Sequence, residues 1–131
     1  MRKIMLLFIT LLIPLLVGMG SGAPGDIPKT PKNFSVTYID QSDISTDCTE
    51  ASIAGKIFLE GKKGEGTYTV SFENIKSVIF LSKNGFLTGS IKMKDGGYVE
   101  IIINKDQKAY GRTKYGSFQI KLIDLKKMIF P

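Results

Sequence analysis

No histidine occurs anywhere in this chain, and cysteine occurs once, at Cys48. The missing imidazoles exclude Ser–His and Cys–His nucleophile activation, histidine acid–base catalysis and imidazole metal ligation together. One cysteine builds neither an internal disulfide nor a thiolate zinc site, so packing alone must hold the fold. Paired acids are missing too. Glu100 stands alone inside an apolar strand, with no identifiable partner for glycoside chemistry. Gly61–Gly66 has the glycine density of a phosphate-cradling loop but not the Gly-Lys-Ser/Thr ending or the following helix, and reads as a turn. Asp40, Asp43, Asp47 and Glu50 match no calcium-loop spacing and read as a solvated acidic loop. The expectation is therefore no catalytic residue, no metal site and no cofactor.

What is present begins with an export pattern. Arg2 and Lys3 precede an apolar run from Ile4 to Val17, and small residues follow up to Ala23. This is the three-part layout of a signal peptide over residues 1–22. The run is shorter than the ~20 residues a spanning helix needs, and Pro14 interrupts it. The expected location is periplasm, cell surface or medium, with an uncleaved N-terminal anchor as the alternative. Residues 23–33 hold Pro24, Pro28 and Pro31 and read as an extended tether. Residues 34–131 are long enough for one domain with a core of its own.

That domain reads as all-β, a small antiparallel sandwich or partly open barrel of roughly 8–10 strands. Phe34, Val36 and Tyr38 alternate with polar residues as a first strand, and Asp40–Glu50 reads as a loop. After Ala51 no segment has a helical period. Asn84-Gly85 and Asp95-Gly96-Gly97 mark two hairpins.

A shift of fifty residues places Gly61 on Gly111, and Tyr68, Val70 and Phe72 on Phe118, Ile120 and Leu122. It also places Ile75, Val78, Ile79 and Phe80 on Leu125, Met128, Ile129 and Phe130. A two-strand unit, Gly61–Phe80, is thus duplicated as Gly111–Phe130. The alternation breaks at Glu73-Asn74 and Ile123-Asp124, where a bulge or tight bend is expected. The flanking segments show no such match.

The succession Ile91-x-Met93-Lys94-Asp95-Gly96, the Tyr98–Ile103 strand and Gly116-x-Phe118-x-Ile120-x-Leu122 resembles small, partly open β-barrel modules of uncharacterised exported bacterial proteins. The resemblance implies a fold and carries no activity.

Two surface features bear on partners. Pro24–Glu50 holds five acidic residues against two lysines, whereas Ala51–Pro131 holds fourteen basic against seven acidic. A basic body attracts anionic polymer or lipid headgroups, although lysines spaced singly along strands are also the ordinary solvated face of a sheet. The runs Val78–Leu81, Ile101–Ile103 and Met128–Phe130 do not alternate, which implies strands covered on both faces. The leading expectation is a non-enzymatic envelope module that binds a protein partner or itself through Val78, Phe80, Met128 and Phe130. The alternative is binding to anionic polysaccharide or lipid surfaces, and no specific nucleic-acid partner is expected.

Overall fold

The computed structural model describes residues 26–131. The expected signal peptide and the first residues of the expected tether lie outside them. Ten strands follow in order: β1 Val36–Asp40, β2 Ser45–Ile53, β3 Phe58–Lys63, β4 Gly66–Ser71, β5 Ile75–Lys83, β6 Phe86–Met93, β7 Tyr98–Ile103, β8 Lys108–Arg112, β9 Ser117–Lys121 and β10 Leu125–Ile129. Every pairing is antiparallel. The strands form one sheet in the order β4-β3-β7-β6-β5-β10-β1-β2-β8-β9, curled into a half-barrel.

Local chemistry sets the turns. Asn84 and Gly85 both hold positive φ, at 52° and 80°, as the hairpin between β5 and β6 requires. Gly96, at φ 95°, turns the chain between β6 and β7, and the Asp95 carboxylate accepts the Gly97 N–H at 2.8 Å. The alternation breaks become single 3₁₀ turns, Phe72–Asn74 and Leu122–Asp124, each driving one large apolar side chain into the core. The acidic segment departs from expectation. Most of Asp40–Glu50 belongs to β2. Its inward positions there are Thr46 and Cys48 rather than large aliphatics, so the apolar alternation that reveals a strand is missing.

Inward residues of all ten strands meet in one core, including Tyr38, Leu59, Ile91, Ile101, Leu125 and Met128. Phe72 anchors it, with its ring 5.6 Å from Phe34 and 5.1 Å from Phe130 in edge-on arrangements. The tether meets this body. Lys32 pairs with Glu73, Pro28 lies against Gly55, and Asn33 Oδ1 accepts the Glu50 N–H at 2.7 Å.

The strand order is a palindrome of two five-strand units, β4-β3-β7-β6-β5 and β9-β8-β2-β1-β10. They meet where β5 pairs β10. Val78 faces Met128, its own repeat mate, while Ser77 faces Ile129 and Ile79 faces Lys127. A pseudo-twofold axis therefore passes through the Val78–Met128 pair. The repeat is larger than the sequence alone shows, because β1–β2 at the start of the domain fills the place that β6–β7 holds in the other unit. Tyr38 opposes Met128 as Ile91 opposes Val78, and Thr49 opposes Arg112 as Ile102 opposes Lys62. Backbone bonds repeat as well: Lys94 N–H to Asn74 O, 2.9 Å, matches Gln41 N–H to Asp124 O, 3.1 Å. The second unit is a circularly permuted copy of the first.

Each unit also needs one glycine at the same point. A Cβ on Gly61 would lie 2.5 Å from the Ile102 carbonyl oxygen, and one on Gly111 would lie 2.5 Å from Cys48 Cβ. Neither neighbour has a free side-chain end to swing away. Gly61→Ala and Gly111→Ala should each lower unfolding free energy by about 1–3 kcal/mol. Gly66→Ala, whose nearest neighbour would be 3.7 Å away, should leave it within about 0.5 kcal/mol. Urea titration of the three variants makes the comparison.

Candidate functional site

Val78, Phe80, Met128 and Phe130, expected to form the interaction surface, are all buried in the core. This is a correction of phase. In a strand, successive side chains alternate between faces, and these four point inward. The outward residues of the same apolar runs are Ile79 and Leu81 on β5, Ile102 on β7 and Ile129 on β10. Ile79, Leu81 and Ile102 are 49%, 54% and 44% exposed. The runs are thus covered on one face only, and the outer face of the sheet carries the uncovered side.

The acidic residues of the first hairpin each have a local partner. Asp40 accepts the backbone N–H groups of Ser42 and Ile44, at 2.8 and 3.0 Å. Asp43 pairs with Lys126 at 2.6 Å, and Glu50 with Arg112 at 2.7 Å. Among the described residues no group of three acidic or sulfur ligands is gathered for a metal. Gly61–Gly66 lies in the β3–β4 hairpin, with strand on both sides.

Among the concavities of the surface, two grooves on the outer face correspond to each other. The first, about 280 Å³, crosses β5, β6 and β7 over Ile79, Leu81, Thr88, Ser90 and Glu100. The second, about 720 Å³, crosses β10, β1, β2 and β8 over Ile129, Ser35, Thr37, Asp47 and Arg112. The ladder Ile79–Ser90–Glu100 in one matches Ile129–Thr37–Asp47 in the other. The pseudo-twofold axis exchanges them.

This relation lets one unit serve as a sequence comparison for the other. Many outward positions have changed character, as at Glu60 against Tyr110 and Glu73 against Ile123. The central ladder of the grooves has kept its character: isoleucine at 79 and 129, hydroxyl at 90 and 37, carboxylate at 100 and 47, while a cation lines each groove from a different place, Lys83 in the first and Arg112 in the second. In the second groove the Thr37 hydroxyl donates to Asp47 at 2.7 Å. An apolar floor beside a hydroxyl, a carboxylate and a cation offers both donors and acceptors around a dry contact. The pairing of Glu100 with Asp47 was hidden in the sequence, because the copy holding Asp47 sits before its own unit instead of after it.

A family model described as "Uncharacterised protein" matches residues 30–131. The chain belongs to that family. The match takes in every strand of both units. No curated protein and no solved structure matches the chain.

Cys48 reaches the wall of the second groove but is itself buried. Burial, and secondly the charge of Asp47, push its thiol up to about 11. Burial likewise raises Tyr38, whose hydroxyl donates to the Tyr110 carbonyl at 2.8 Å. Both groups fold in their neutral forms. The Cys48 contribution to stability is therefore full below the unfolded thiol value, near 9, and is lost as pH rises towards about 11, whereas that of Tyr38 starts to be lost only above the ordinary tyrosine value, near 10. The urea midpoint should fall across that window, and Cys48→Ala should reduce the fall. At neutral pH, iodoacetamide should label Cys48 only in denaturant.

Proposed function

We propose that this protein is a non-enzymatic binding module of the cell envelope that engages a protein partner through its two outer grooves. The observation that supports this most is the retention, between two diverged copies, of one apolar, hydroxyl and carboxylate ladder in both grooves. The export pattern at residues 1–22 supports the envelope location. Each groove sets a carboxylate near a cation, which favours a partner with mixed polarity over a uniform polyanion, since Glu100 and Asp47 oppose phosphate- or carboxylate-rich chains. The partner would rest apolar side chains on Ile79 and Ile129, with polar contacts at the rim.

Outward strand positions tolerate lysine, so the surface can be altered without disturbing the core. Ile79→Lys with Leu81→Lys should weaken capture of envelope proteins by roughly tenfold or more, and Ile129→Lys should do the same for the other groove. Far-UV circular dichroism and the melting temperature should stay unchanged. Quantitative cross-linking in intact cells, comparing these variants with the unaltered protein, reads the effect. Identical partner recovery in all variants would overturn the reading, as would steep salt-dependent retention on an anionic matrix with no protein cross-link.

A further inference from the structure

The two ends of the half-barrel are symmetry mates, β4 and β9, but they differ in how they face a neighbour. Among the described residues each pairs on one side only, so each leaves a row of backbone donors and acceptors unpaired there. β9 carries Lys121 opposite Lys108 of β8, the kind of residue that keeps a sheet edge from pairing onward. β4 reads Gly-Thr-Tyr-Thr-Val-Ser, with no charge and no proline. Its outward positions, Thr67, Thr69 and Ser71, are the β-branched and hydroxyl types that pair well across strands.

The inner faces of the two edges differ in the same sense. Phe118 of β9 stacks on Tyr38 with ring centres 5.9 Å apart. Its counterpart on β4 is Tyr68, and the counterpart of Tyr38 is Ile91, which offers no ring. Tyr68 faces inward, on the same side as buried Val70, yet it is 41% exposed. One edge is therefore capped by charge and aromatic stacking, while the other leaves an inward aromatic side and a neutral ladder uncovered.

We propose that the protein forms a closed homodimer by antiparallel pairing of β4 with β4 of a second copy. A neutral strand suits this occupant, because it carries none of the charged side chains that keep a sheet edge from pairing onward. Pairing about Tyr68 would oppose Thr67 to Thr69 of the second copy and place the two Tyr68 rings side by side on the inner face. Next to them, β3 presents Glu60 beside Thr69 and Lys62 beside Thr67, so opposite signs fall on the same row across the joint. Since only one edge is open, the contact is isologous and growth stops at two copies. The two ends of the resulting twenty-strand sheet are the lysine-bearing β9 edges. The joint lies at the sheet edge, away from the outer grooves, and is independent of what they bind.

Analytical ultracentrifugation of the purified protein over a wide concentration range tests this. The expected result is a monomer–dimer equilibrium whose dissociation constant rises roughly tenfold or more in Thr69→Lys. Gln119→Lys, at the equivalent place on β9, should leave it unchanged. Thr67→Lys provides a second solvent-facing disruption, should Thr69→Lys fail to fold. A protein monomeric at every concentration overturns the proposal. So does a dimer indifferent to both β4 variants, and so do oligomers that grow beyond two. Ile79→Lys with Leu81→Lys should keep the dimer while losing partner capture, so failure of one reading is distinguishable from failure of the other.

Discussion

The antiparallel pairing of β5 with β10 is the contact on which the rest of the molecule is arranged. Each of these strands leaves a 3₁₀ turn that buries Phe72 or Leu122, and each carries its unit's inward aliphatics to the midline. Val78 and Met128 meet there and place the pseudo-twofold axis. With no helix layer among the described residues to cover it, the sheet hides its apolar face by curling on itself, and the two units supply the two walls of that curl. Removing the seam would leave two five-strand sheets, each with one apolar face open to water.

Permutation makes this joint more than a tandem repeat. The second unit borrows its β1–β2 hairpin from the start of the domain, so a chain segment from each end is woven into the same half. β1 lies between β10 and β2, which ties the N-terminal part of the domain to its last strand. Contacts of long sequence separation therefore dominate that half, whereas β5, β6 and β7 form a consecutive meander in the other. Two halves of one architecture thus differ in contact order, the property that most affects how fast such sheets assemble.

Divergence between the copies divides by environment. Core positions stayed inward-facing and largely apolar, but single sites exchanged volume, as Leu59 against Ala109 and Ile91 against Tyr38, so close packing is met within each unit by its own set of side chains. Edge positions separated, with Lys121 on one side and Ser71 on the other, since only the local neighbour constrains them. The grooves lie between these cases. They are solvent-facing and so free to drift, yet Ile79 and Ile129, and Glu100 and Asp47, kept their chemistry.

The order of residues alone establishes that the body is β, that its turns fall at Asn84-Gly85 and Gly96, and that Gly61–Phe80 is repeated as Gly111–Phe130. Each of these follows from local rules, namely two-residue alternation and the backbone freedom of particular turn residues. It did not reveal β2, because polar residues take both faces through most of its length. It left open which side of Val78–Leu81 points inward, because both sides are apolar and phase is decided only by the neighbouring strands. The match between β1–β2 and β6–β7 was likewise out of reach, for their apolar residues differ and β1–β2 precedes the rest of its unit whereas β6–β7 follows. Tertiary structure settled these points because register and strand order depend on cross-strand pairing between distant segments. That pairing moves the candidate surface from the buried Val78 and Phe80 to the exposed Ile79 and Leu81.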